Sequence, residues 1–209
     1  PEMSVAENLL LGRLPKRRGG FIHWKEAECR AAAVLEDLGV TLDVRARARS
    51  LGVAQQQVVE IAKAMSHAPA VLMLDEPAAG IDEPGQGRIH ETLHRLQEEG
   101  VTVLLISHDL SVVEYLANRV AVMYVGLLVE IAPTQELFQA PRHPYTEALL
   151  SAVPKPDPRI RTEPIVLEGE VADPARPPSG CYFHPRCRFC IEQCKTEAPQ
   201  LRQIAPITL

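Results

Sequence analysis

Four apolar residues, Val71-Leu72-Met73-Leu74, run directly into Asp75-Glu76-Pro77. A short continuous apolar run that ends in charge is the pattern of a buried parallel strand, with its carboxylates delivered beyond the C-terminal end, where open α/β sheets place their chemistry. The residues that follow repeat the theme. Ile89, Leu93 and Leu96 recur at helical spacing up to Gly100, and residues 101–106 form a second apolar run that ends at Ser107-His108-Asp109. Strand, helix, strand in this order implies a parallel sheet. A helix over 110–117 and a strand over 119–125, turning at Gly126, continue the pattern and predict a third strand.

Upstream, Ala31, Val34, Leu35 and Leu38 predict an amphipathic helix over 24–38, closed by Gly39. Val58, Val59, Ala62 and Met65 predict the inner face of a second helix over 55–67, which Pro69 stops. Residues 1–14 mix apolar and polar side chains, and 15–20 read as a solvated loop. After residue 133 the composition changes, with Pro133, Pro141, Pro144, Pro154, Pro156, Pro158, Pro164, Pro174, Pro177 and Pro178 following closely, so an appended region is expected there. The 209 residues, 46% hydrophobic and 23% charged, suffice for one core plus that appendage. A net charge of −5 gives no basic field for nucleic acid. The apolar runs are far shorter than the roughly 20 residues that span a bilayer, so any membrane link is expected to be peripheral. The chain starts at Pro1 without a signal-peptide pattern, and reads as a cytosolic sequence that begins mid-protein.

The run ending at Asp75-Glu76 resembles a Walker B motif, against the simpler reading of a strand followed by a solvated acidic turn. In the Walker B reading Asp75 helps to hold Mg²⁺, largely through water, and Glu76 polarises the water that attacks the γ-phosphate of ATP. Ser107-His108-Asp109 resembles a switch-histidine motif, in which His108 contacts the γ-phosphate, although a lone histidine is more often a satisfied surface or core residue. Asp82 lies where a D-loop would stand. Leu51-Gly52-Val53-Ala54-Gln55, ahead of a helix, resembles the signature motif of ATP-binding-cassette (ABC) ATPases. Backbone N–H groups at such a helix N-terminus face phosphate held by a partner subunit; a Gln-rich helix start without a phosphate role is the alternative. Two positions depart from that family, which places Ser at Gly52 and Gly at Ala54. The Ala54 methyl is expected to obstruct close approach to phosphate and to resist positive φ. No G-x-x-x-x-G-K-[ST] occurs in the sequence, so the β- and γ-phosphates lack a cradle and the chain by itself is expected to be inactive.

The chain thus resembles the C-terminal part of an ABC transporter ATPase, which implies an α/β, partial P-loop NTPase fold with a parallel sheet and a helical subdomain. The expected divisions are 1–68 for the helical subdomain with the signature, 69–132 for the Walker B and switch part, and 133–209 for the C-terminal extension. Residues 1–67, through Ser4-Val5-Ala6-Glu7-Asn8 and Gly20-Phe21-Ile22-His23-Trp24, look most like ribose-type sugar importers. From Gly100 onward, Ser107-His108-Asp109-Leu110, His143-Pro144-Tyr145-Thr146 and Gly180-Cys181-Tyr182-Phe183-His184-Pro185-Arg186-Cys187 look like oligopeptide and dipeptide importers. The resemblance implies ATP and Mg²⁺ as ligands and a second ABC ATPase subunit and transmembrane permeases as partners. It further implies a solute-binding protein as an indirect partner, no nucleic acid, and a place on the inner face of the cell membrane. Cys181, Cys187, Cys190 and Cys194 cluster, and the family implies a [4Fe–4S] site there for some members; zinc or plain structural thiols compete. Two other functions stay open: a metal-binding or regulatory module on a degenerate cassette, and a soluble ABC ATPase outside transport.

Overall fold

The computed structural model describes residues 2–153 and 163–204; Pro1 and, from the proline-rich reading, Pro154, Pro156 and Pro158 lie outside the described residues. Two compact units divide the chain, Pro1–His108 and Asp109–Leu209.

In the first unit, α1 (Val5–Leu9) is opened by a reciprocal cap. The Ser4 hydroxyl accepts from the Glu7 N–H at 3.2 Å, and the Glu7 carboxylate accepts from the Ser4 N–H at 2.6 Å. This helix packs on both α2 (Trp24–Asp37) and α3 (Val53–Met65). α2 buries Ala27, Ala31 and Leu35, the stripe that the sequence periodicity predicts in part. α3 buries Val58, Val59 and Ala62 as expected and Ile61 besides, whereas Met65 is only half-buried. α4 (Glu83–Glu98) turns Ile89, Leu93 and Leu96 wholly inward and packs on α3.

The parallel pair is present. β1 (Val71–Asp75) and β2 (Thr102–Ile106) run in register from Val71 opposite Thr102 to Asp75 opposite Ile106. The expectation that these strands are buried on both faces is corrected: Leu72 and Leu74 are buried, but Val71, Leu104 and Ile106 are each about half exposed and Met73 about two thirds. Successive side chains point to opposite faces. The inward side chains and the contact of α4 with β2 cover one face, and the apolar side chains of the other stand in solvent.

The second unit begins with α5 (Leu110–Leu116), capped by the Asp109 carboxylate, which accepts from the N–H of Ser111 at 2.9 Å. β3 (Arg119–Tyr124) occurs where a strand is predicted, but it does not extend the parallel sheet. It pairs antiparallel with β4 (Leu127–Pro133). Val125 and Gly126 join the two strands at φ 46° and 78°, both left-handed, which suits the tight turn of a hairpin. With only two residues between the strands, the chain cannot cross over to a parallel position. α6 (Thr134–Gln139) and α7 (Pro144–Ser151) follow, and α8 (Glu192–Thr196) lies beyond them. Val113, Val120, Val122 and Leu137 form the core of this unit. Glu130 on β4, buried, accepts the backbone N–H groups of Arg142 at 2.7 Å and His143 at 2.9 Å, tying the start of α7 to the hairpin.

Candidate functional site

The C-terminal ends of β1 and β2 bring two predicted residues together. Glu76 follows β1 at φ 47°, a conformation that a non-glycine residue adopts at a cost and that is concentrated at functional sites. Its own N–H donates to the Ile106 carbonyl at 2.9 Å, so the turn is fixed by the neighbouring strand. The carboxylate is fixed as well. Oε1 lies 2.7 Å from Nδ1 of His108 and accepts the His108 N–H at 2.9 Å, while Oε2 accepts the Ser107 hydroxyl at 3.4 Å. The hydrogen bond from the His108 side chain, above all, holds the Glu76 carboxyl below the usual carboxylate range, with burial acting the other way. Glu76 is partly exposed and His108 exposed, so both face solvent rather than the core. Asp75, exposed at the last position of β1, stands beside them in sequence and opposite Ile106. Carboxylate oxygens are the ligand type that a hard cation such as Mg²⁺ takes. Ser107 was not among the residues singled out from the sequence for a site; only its place beside His108 pointed to it.

The second predicted group, Leu51 to Gln55, forms the N-terminus of α3. Gly52 is the N-cap at φ −63° and offers no side chain, while the Gln55 side-chain oxygen accepts the Gly52 N–H at 3.2 Å. Val53 is exposed and Leu51 partly so. The expectation for Ala54 is corrected. Ala54 sits in the helix with ordinary negative φ, and its methyl is buried, so neither obstruction of phosphate nor strain at positive φ follows from it. The methyl has room because residue 85 on α4 is glycine. A Cβ at Gly85 would lie 2.7 Å from the Ala54 Cβ and 2.6 Å from Oδ1 of Asp82. Asp82, the predicted D-loop residue, is the N-cap of α4, and its carbonyl accepts the Gly85 N–H at 2.9 Å. Gly85 is the residue of this group that sequence reasoning missed, since a glycine in the first turn of a helix gives no signal of the neighbour it admits.

The four clustered cysteines lie in one loop stretch of the second unit. Cys181 N–H donates to the Cys194 carbonyl at 2.8 Å, Cys190 N–H to the Cys187 carbonyl at 3.1 Å, and Cys194 N–H to the Ile191 carbonyl at 2.9 Å. Burial pushes the Cys187 thiol up, and the neighbouring Cys181, Cys194 and Cys190 push it the same way. The thiols are therefore near one another, yet among the described residues no three His, Cys, Asp or Glu side chains are placed to hold a metal ion. Backbone bonds hold the loop, and Cys187 lies close enough to Cys181, Cys194 and Cys190 for their charges to be felt at its thiol.

Comparison with known proteins gives two family matches. Residues 1–79 match the model of the ABC transporter family, and residues 129–194 match the C-terminal region of oligopeptide/dipeptide transporters. A peptide import ATP-binding protein of Brucella ovis is 41% identical over 208 residues, 99% of this chain and 65% of the relative. An oligopeptide transport ATP-binding protein of Bacillus subtilis is 43% identical over 155 residues, covering 73% of this chain and 47% of that protein. The chain thus spans less than two thirds of the relatives it matches. Among solved structures, an ATP-binding cassette of an ABC transporter matches 71% of the chain and 62% of its own length with a TM-score of 0.58 and 25% identity. A subunit of an ABC transporter complex from Clostridium perfringens matches with a TM-score of 0.56 and 27% identity, over 67% of this chain and 55% of its own. The fold is that of part of such a cassette. One relative runs through both parts of the chain, and these relatives are named for peptides, not sugars.

Proposed function

With ABC transporter sequence over residues 1–79 and the oligopeptide/dipeptide transporter C-terminal region over 129–194, we propose that this chain is part of an ATP-hydrolysing subunit that energises peptide import. The observation that carries the reading is the Glu76–Ser107–His108 arrangement at the ends of two parallel strands, with Glu76 in a left-handed conformation. In this reading Glu76 orients and polarises the attacking water. The His108 hydrogen bond keeps the carboxylate ionised, and a base held in this way takes a proton weakly, so its contribution is positioning and charge more than proton abstraction. His108 links that carboxylate to the phosphate side of the site. Asp75 is the residue to hold Mg²⁺, which when bound neutralises charge on the phosphate oxygens. The N–H groups that open α3, from Val53 to Gln55, are directed to phosphate held by a second subunit, with Asp82 at the contact between subunits.

Partial catalytic parts imply partners: a second ATPase subunit, membrane permeases, and through them a solute-binding protein. Among the described residues no helix is long and apolar enough to cross a membrane; peripheral attachment at the inner face is part of the proposal. The three sequence segments, 1–68, 69–132 and 133–209, are kept as the functional divisions. For the four cysteines the two readings of the sequence stay as proposals, structural thiols on the one hand and a [4Fe–4S] or zinc site on the other. Uptake of a labelled short peptide into cells that depend on the full-length subunit tests the proposal. The expected result is uptake with the native sequence and none with Glu76→Gln; uptake unaffected by that change would reject it.

A further inference from the structure

Two motifs of the second unit have no part in the chemistry above: His143-Pro144-Tyr145-Thr146 and the stretch from Gly180 to Cys187. Both feed one aromatic cluster. Tyr124, the last residue of β3, meets the Tyr145 ring edge-on at 4.7 Å between centroids and the Phe183 ring at 5.1 Å. Phe183, buried, lies 5.5 Å from Tyr145 and 5.6 Å from His143. Edge-to-face packing at these distances accounts for the rings. It does not account for the Tyr124 hydroxyl, which is buried with no hydrogen-bond partner among the described residues. Phenylalanine would pack as well without leaving a polar group unpaired.

Tyr124 also lines a cavity of about 200 Å³ together with Tyr182, Arg176, Arg186 and Glu170. Arg186 donates from Nε to the Glu168 carbonyl at 3.3 Å, which leaves its two terminal nitrogens for another acceptor. The Arg176 guanidinium has no hydrogen-bond or ion-pair partner among the described residues. Burial and the neighbouring Tyr124 push the Tyr145 phenol up, and the Arg186 charge opposes this, so that charge reaches the tyrosine pair. The loop carrying Arg186 is fixed at its start. Gly180 has φ 67°, and a Cβ there would run into the Cys194 and Lys195 backbone. Two guanidiniums against the single carboxylate of exposed Glu170 leave the cavity, which the Tyr124 side chain helps to line, with excess positive charge.

We propose that this cavity binds a small oxyanion, a carboxylate or inorganic phosphate, through the Tyr124 hydroxyl and the guanidiniums of Arg176 and Arg186. Guanidinium forks match both anions, and the hydroxyl supplies a further hydrogen bond to charge. The cavity is large enough for either and too small for a nucleotide. Calorimetric titration with sodium phosphate, and separately with sodium acetate, tests it, with chloride at matched ionic strength as the blank. One of the two oxyanions is expected to bind at one site per chain, and the arm that responds identifies the source. Tyr124→Phe and, separately, Arg176→Gln should each weaken binding about tenfold, the equivalent of one hydrogen bond to a charged group. The unliganded thermal midpoint of each variant is measured alongside. Either of two results would overturn the proposal: no binding of phosphate or acetate by the native chain, or binding that both variants leave unchanged while remaining folded.

Discussion

Gly85→Ala isolates the contact on which the α3 N-terminus depends. The added methyl would stand 2.7 Å from the Ala54 Cβ, 2.6 Å from the Asp82 carboxylate and 2.5 Å from the Ile81 side chain, all shorter than real Cβ contacts allow. Overpacking of this kind costs about 1–3 kcal/mol. Alanine in place of glycine within α4 returns at most about 1 kcal/mol of helix propensity. Two of the three close contacts are with side-chain carbons of Ile81 and Ala54, both buried, so the upper part of the range applies and the net loss is expected to be about 1–2 kcal/mol. Ala54→Gly alone should also destabilise, by about 1 kcal/mol from propensity plus the loss of a buried methyl. Combined, the two changes should be less harmful than their sum by about 1 kcal/mol, because each relieves the other's misfit. Urea unfolding followed by circular dichroism measures all four corners of the cycle. Additivity within about 0.5 kcal/mol would refute the reasoning that Gly85 makes room for Ala54.

Other changes follow from the same structure. Removing the cap with Asp109→Ala should cost α5 about 1 kcal/mol, read from the urea midpoint. Phe183→Ala should cost about 3–5 kcal/mol by emptying the aromatic cluster, measured by thermal unfolding. Burial lowers the His143 pKa below its ordinary 6.5, so the folded chain resists a proton that the unfolded chain takes up. Stability should be full above pH 6.5 and fall as pH drops below it; His143→Gln should flatten that slope in urea titrations at several pH values. For Glu76 the sign is that of a depressed carboxyl: its contribution is present above the ordinary 4.5 and lost as pH falls below it, and His108→Ala should weaken that dependence, with the residue 108 N–H and the Ser107 hydroxyl still bonding the carboxylate.

Where periodicity and buried faces decide an element, the sequence was readable. α2, α3 and α5 fall within two residues of their expected bounds, α4 ends within two residues of its expected end, and Ile89, Leu93 and Leu96 are buried as their spacing implies. α1 is too short for periodicity, although Ser4 and Glu7 carry the capping pattern that marks its start. The β3–β4 hairpin was not readable because Val125, a β-branched residue, occupies a left-handed turn position that usually announces itself as Asn or Asp before Gly. At the site, chain order placed Glu76 and His108 after successive strands, and parallel register then brings them together. The Ala54–Gly85 fit joins residues 31 positions apart on two helices, and no local pattern reports it. The cysteine spacing brings Cys187 close to Cys181, Cys190 and Cys194, as clustering in the sequence implies.

The role of Glu76 is read from Mg-ATP turnover by this chain joined to a phosphate-loop-bearing segment and paired with a second ATPase subunit. Turnover is expected with the native sequence, and a loss of about 10²-fold or more with Glu76→Gln while ATP binding is retained. Turnover that survives Glu76→Gln, or none in either protein despite bound ATP, would contradict that role.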